Sequence, residues 1–79
     1  MLNLKIVTPE KIIFNGNVEN VTVPGTLGSF EVLNDHAPII SSLEQGVVEY
    51  TENSGRKHLD IKSGFIEVKN NEVNLCVEV

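Results

Sequence analysis

Apolar and polar residues alternate along most of this chain with a period of two. Leu2, Leu4 and Ile6 are interleaved with Asn3 and Lys5, the pattern of a strand with one buried face. Pro9 ends that strand, because proline has no amide donor for a ladder. Lys11 to Phe14 resumes as a short apolar run. Asn15-Gly16-Asn17 predicts a hairpin turn, since Asn and Gly accept the positive φ of tight turns. A third strand is expected over Val18–Val23. Val18 falls out of phase with Val21 and Val23, and a bulge near Glu19-Asn20 would restore the register. Pro24-Gly25 is a turn signal. Thr26-Leu27, held between Gly25 and Gly28, predicts a compact loop with an exposed leucine at its tip.

Gly28–Leu33 reads as a strand with Phe30 and Val32 on one face and Ser29 and Glu31 on the other. Asn34-Asp35 turns the chain, Ala37–Leu43 is a weaker strand, and Gly46–Tyr50 follows a turn at Glu44-Gln45-Gly46. The polar run Thr51–Lys57 is expected to be an exposed hairpin loop. Leu59 and Ile61 then alternate with His58, Asp60 and Lys62. Ser63-Gly64 bends the chain, and Ile66 and Val68 alternate with Glu67 and Lys69. Asn70-Asn71 predicts a further hairpin turn, after which Val73, Leu75, Val77 and Val79 share a face. No window has helical spacing. The pattern predicts one all-β domain over residues 1–79: a two-sheet antiparallel β-sandwich or flattened barrel of about nine or ten short strands.

Composition narrows the function. Hydrophobic residues make up 41% of the 79 and aromatics 5%, without tryptophan, so the core is built from Val, Ile and Leu. A chain this short buries only ~60% of its unfolded surface and gains from a partner that covers more. Six Lys plus Arg against eleven Asp plus Glu give a net charge of −5 with no basic run. Nucleic-acid binding lacks its electrostatic footprint, and contact with anionic lipid is disfavoured. The longest apolar stretch, Ala37–Ile40, is far too short to span a bilayer. The N-terminus has no charged-then-apolar signal pattern, and a single cysteine, Cys76, excludes an internal disulfide. A soluble protein of a reducing compartment is expected.

Chemistry-bearing candidates are few. Asp35 and His36 with Ser41 or Ser42 contain triad residue types, but chain neighbours rarely orient one another as a triad requires, and no G-x-S-x-G turn is present. His36 and His58 are the only histidines, without metal-ligand spacing. Gly25-Thr26-Leu27-Gly28 lacks the length and the Lys-Ser/Thr of a phosphate loop. Asn20-Val21-Thr22 is a short glycosylation match with no sign of secretion. Cys76 has no basic neighbour to favour its thiolate. No catalytic, cofactor-binding or metal-ligating residue is expected; the residue types describe a small acidic binding module. An adaptor in an unrelated complex is the alternative. A carrier domain would present a modifiable lysine at a hairpin tip, where this chain has Asn-Gly and Asn-Asn.

Leu4-x-Ile6-Val7-Thr8-Pro9-Glu10 opens a series of short motifs. It continues with Phe14-x-Gly16-x-Val18-x-x-Val21, Val23-Pro24-Gly25-x-x-Gly28-x-Phe30, His36-Ala37-Pro38, Leu43-x-x-Gly46-x-Val48 and Ser63-Gly64-Phe65-Ile66-Glu67-Val68. At these spacings and in this order, the chain resembles the N-terminal β-sandwich domain of the epsilon subunit of F-type ATP synthases (delta in mitochondria). The resemblance implies a non-catalytic rotor subunit of the central stalk. It would be peripheral to the cytoplasmic face of the membrane, bind the gamma subunit and the c-subunit ring, and couple ion-driven rotation to ATP synthesis.

Carried over by position, the ring-facing contacts are Gly25, Thr26, Leu27, Gly28, Ser29, Phe30 and Glu31. The gamma-facing contacts are Thr8, His36, Ala37, Pro38, Ile39 and Ile40. Many family members place an acid in the ring-facing loop; here the loop reads Thr-Leu-Gly-Ser, with Glu31 the nearest carboxylate, so a contact through Leu27 would rest on apolar burial. The family's C-terminal helical pair has no counterpart in this sequence, so neither nucleotide binding nor helix-mediated inhibition is expected, and no direct insertion into lipid.

Overall fold

The alternating runs form nine strands and no helix: β1 (Leu2–Val7), β2 (Ile12–Val18), β3 (Asn20–Gly25), β4 (Gly28–Val32), β5 (Ile39–Leu43), β6 (Gly46–Glu52), β7 (Gly55–Ile61), β8 (Ser63–Lys69) and β9 (Glu72–Glu78). In this computed structural model, which describes residues 1–79, they make one continuous sheet in the order β2-β1-β9-β8-β5-β3-β6-β7, with β4 added to β3. The sheet curls on itself at a narrow seam. Strands β3 and β5 share a single register pair, Gly25 with Leu43. To one side lies a front layer, β2-β1-β9-β8-β5; to the other lies a back layer, β4-β3-β6-β7. The expected sandwich is therefore present as a half-barrel whose layers are joined through their backbones.

All pairings are antiparallel except β1 with β9, which run parallel from Asn3↔Glu72 to Val7↔Cys76. Chain order permits that exception to the antiparallel expectation, because the first and last strands meet in mid-layer with no hairpin to force them antiparallel.

The inward phase of each run forms the core. Leu2, Leu4 and Ile6 of β1, Val21 and Val23 of β3, Ile66 and Val68 of β8, and Val73, Leu75 and Val77 of β9 are buried among 16 core residues, and no polar side chain is buried with them. Phe14 of β2 and Tyr50 of β6 close one end from opposite layers, their ring centroids 4.7 Å apart at 43°.

Four local expectations are corrected. Asn15-Gly16-Asn17 is not a turn: it lies inside β2, paired with Lys5, Leu4 and Asn3. Gly16 serves packing rather than backbone reversal, since a Cβ there would meet the Phe14 ring at 3.2 Å. The reversal is made by Thr8–Lys11. The Thr8 amide donates to the Lys11 carbonyl at 2.8 Å, and Thr8 Oγ1 accepts from the Glu10 and Lys11 amides at 3.3 and 3.2 Å.

The change of phase after Val18 is a change of layer, not a bulge: β2 ends there, the Glu19 amide donates to the Thr51 carbonyl, and β3 begins in the back layer. The register does slip once, at Ile6/Val7 opposite Phe14 and Ile12.

Pro24-Gly25 belongs to β3, and the turn is Thr26-Leu27. Pro24 is tolerated because the ladder to β6 has already ended at Thr22.

Finally, the Thr51–Lys57 loop shrinks to Asn53-Ser54. Thr51 and Glu52 pair with Arg56 and Gly55. Strand β7 is a polar edge strand, and its charges keep that free edge from pairing with another chain.

Candidate functional site

The β3–β4 turn is built to hold one leucine in water. Gly25 is buried, and a Cβ there would lie 2.7 Å from the Gly28 carbonyl oxygen and 3.0 Å from the Phe30 ring, so glycine lets Phe30 fold back beneath the turn. Gly28 supplies the positive φ (127°) that closes the reversal. Three hydrogen bonds brace the turn against the end of β5. The Thr26 amide donates to the Ser42 carbonyl at 3.2 Å, the hydroxyls of Thr26 and Ser42 pair at 2.9 Å, and the Glu44 amide donates to the Pro24 carbonyl at 2.9 Å. Behind it, Pro24 packs on Gly46, where a Cβ would come within 2.8 Å. Leu27 at the tip is fully exposed. An apolar side chain on a mount this firmly held surrenders little freedom when covered. Ser29 and Glu31 also point outward, with Glu31 opposite Thr22.

The second candidate segment precedes and enters β5. Asp35 adopts φ 63°, the left-handed conformation that Asp and Asn tolerate. The His36 amide donates to the Leu33 carbonyl at 3.2 Å, and His36 Nδ1 lies 2.8 Å from the Ala37 carbonyl. Ser41 Oγ donates to the Ser42 carbonyl, and Ser42 Oγ is paired with Thr26, so the triad residue types make no relay. Ala37 and Pro38 are exposed, Ile39 faces the core, and Ile40 faces solvent with 74% of its surface exposed.

Thr8 stands apart from this segment. It follows Val7, which is level with Cys76, Phe65 and Ser42, whereas His36 precedes Ile39, level with Val68, Val73 and Leu4. Three interstrand steps of ~4.8 Å and about 10 Å along the strands separate Val7 from Ile39, and Thr8 and His36 lie beyond those levels in opposite directions, at two corners of the front layer. Strand β5 also links the two candidate sites, since Ile39 begins it and Leu43 at its far end meets the β3–β4 turn, ~13 Å away.

Between those corners lies a row that the motif series does not assign. Ile12, Val7, Cys76 and Phe65 are level neighbours on the outer face of β2, β1, β9 and β8. Ile40 stands diagonal to Phe65, within reach of it across the ladder. Ile12 and Phe65 are about half exposed; Val7 and Cys76 are half-buried. The signal in the sequence is phase: Phe65 sits in the outward phase of the strand that buries Ile66 and Val68, and Ile40 in that of the strand that buries Leu43. His58 and Asp60 are exposed on β7, and Arg56 lies 3.8 Å from Glu49, a surface pair that contributes little. Asn20 is half-buried in β3, its carboxamide oxygen enclosed without a hydrogen-bond partner.

The family model for the ATP synthase, Delta/Epsilon chain, beta-sandwich domain matches residues 1–79. An ATP synthase epsilon chain of Leptospira borgpetersenii is 39% identical over 98% of this chain and 61% of its own length. One from Magnetococcus marinus is 46% identical over 98% of this chain and 56% of its own. The chain thus spans about three-fifths of the curated relatives it matches. Among solved structures, a chain of the Euglena gracilis mitochondrial ATP synthase (OSCP/F1/c-ring) superposes with a TM-score of 0.89 at 22% identity, covering 96% of this chain and 49% of that one. A chain of the Tetrahymena thermophila mitochondrial ATP synthase central stalk and c-ring gives 0.83 at 15%, covering 99% and 63%. Those two likenesses show the fold. A family match along every strand, joined to relatives near 40% identity, shows that this chain belongs to the ATP synthase delta/epsilon beta-sandwich domain family.

Proposed function

We propose that this domain is the coupling part of a rotor subunit in an F-type ATP synthase, holding the gamma subunit to the c-subunit ring at the cytoplasmic face of the membrane. The observation that carries the reading is the pair of exposed apolar features on one rigid body. Leu27 projects from a turn bonded to one end of β5. Ile40 and Phe65 lie on the front layer, whose outer face runs from Thr8 to Pro38. The Leu27 turn, with Gly25, Thr26, Gly28 and Ser29 as its frame, faces the ring. The front layer faces gamma, and the row Ile12-Val7-Cys76-Phe65 joins the positions inferred from the motifs. Torque passes between the two through β5 and the backbone-bonded seam at Gly25–Leu43.

Separate capture assays with purified ring and purified gamma test the assignment. Leu27→Asp is expected to weaken ring capture by about tenfold or more, since ~1.5–3 kcal/mol of leucine burial is lost and a charge is introduced. Its affinity for gamma stays unchanged. Ile40→Asp is expected to do the converse. Absence of the chain from a purified, gamma-containing synthase overturns the reading.

A further inference from the structure

We infer that Asn71, in the β8–β9 turn, is a positioning residue that fixes the Leu33–Pro38 connection and so sets how Pro38 and Ile40 meet a partner. The inference rests on the reading of the front layer given above. That connection has no ladder of its own: between the end of β4 and the start of β5 it keeps one backbone bond, from the His36 amide to the Leu33 carbonyl. Its outside anchor is Asn71. The Asp35 amide donates to Asn71 Oδ1 at 2.6 Å, and Asn71 Nδ2 donates to Asp35 Oδ1 at 3.3 Å. Asn71 is itself held, since its carbonyl accepts the Asn3 amide at 2.8 Å, tying the clip to β1 in mid-layer. Both partners sit at positive φ, 63° for Asp35 and 62° for Asn71, so each turn presents its side chain to the other. The two bonds span 36 positions of sequence and tie the connection to the β8–β9 turn.

Exchange of the pair provides the test, because Asp and Asn both tolerate the left-handed conformation. Asn71→Asp keeps the acceptor for the Asp35 amide but sets two carboxylates against each other. Joined to Asp35→Asn, it restores a donor and an acceptor with their direction reversed. The single variant is expected to bind isolated gamma about fivefold to tenfold more weakly, the scale of a lost hydrogen bond plus like-charge contact. Hydrogen exchange at the residue 35 amide should accelerate in step. The double variant returns binding to within about twofold of the native chain, a coupling that a merely additive pair cannot show. Native-like binding by the single variant, a loss the double variant leaves unrepaired, or weakened binding with the amide still protected overturns the role of Asn71. Ile40→Asp separates the two levels: if it too binds gamma normally, the reading of the face fails; if it alone weakens binding, only the clip fails.

Discussion

Single atoms decide several features of this domain. At Gly64 an added Cβ would lie 2.5 Å from the Cys76 carbonyl oxygen and 2.9 Å from Val77 Cα, both backbone atoms of β9 that cannot step aside. Gly64→Ala is therefore expected to lower stability by about 2–3 kcal/mol through overpacking, read as a lower urea midpoint at unchanged slope. A loss below about 0.5 kcal/mol would mean that β8 and β9 separate freely. Tyr50 sets an alkaline limit. Its burial, and secondarily the charge of Glu52, push its hydroxyl above the usual tyrosine value near 10. Above about pH 10 the unfolded chain releases this proton while the folded chain retains it, so fewer protons are bound in the unfolded state and stability falls as pH rises. Tyr50→Phe removes that component, and its stability curve should flatten relative to the native one above about pH 10. Parallel curves would assign the alkaline loss to other groups.

At the scale of elements, the β3–β4 turn owes its rigidity to β5 rather than to its own residues. Ser42→Ala deletes the hydroxyl partner of Thr26 while leaving the backbone bond from the Thr26 amide. It is expected to cost about 0.5–1 kcal/mol of stability, because an exposed hydrogen bond contributes little net. Amide exchange at Thr26 and Leu27 should quicken, while the β1–β2 hairpin keeps its protection. Uniform quickening across all strands would contradict a local brace. The existence of these elements was legible in the sequence, because alternation alone marks the inward phase of each strand. Two misplacements share one cause. Asn-Gly and Pro-Gly signal turns through local backbone preference, yet Gly16 and Gly25 were each needed for an aromatic ring, Phe14 and Phe30, that lies against them.

For the whole molecule, the accessible surface of 4759 Å² is what a compact 8.7 kDa chain exposes, roughly 4700 Å². The domain is thus closed without a partner, and its core must hold it. Leu75 is wholly buried at the centre of β9, between β1 and β8. Leu75→Ala is expected to cost about 2–5 kcal/mol, against a total of ~4–12 kcal/mol for a chain of this length. Circular dichroism melts should show this variant largely unfolded or lowered in Tm by well over 10 °C, roughly 4–8 °C per kcal/mol. A native-like melt would place stability outside the valine and leucine core.

The sequence alone determined the inward phase of β1, β3, β8 and β9, though not the exposure of Val79 at the chain end, that every element is a strand, and that Leu27 stands in water, because each follows from period-two spacing and the reach of a two-residue turn. Only the tertiary structure decided that β1 and β9 pair in parallel, that the layers join at Gly25–Leu43, and that Thr8 and His36 occupy opposite corners of one face. Pairing between strands distant in the chain leaves no mark on local spacing. For the same reason Phe65, Cys76, Val7 and Ile12 were separate outward residues in the sequence and became a row only when four strands came into register.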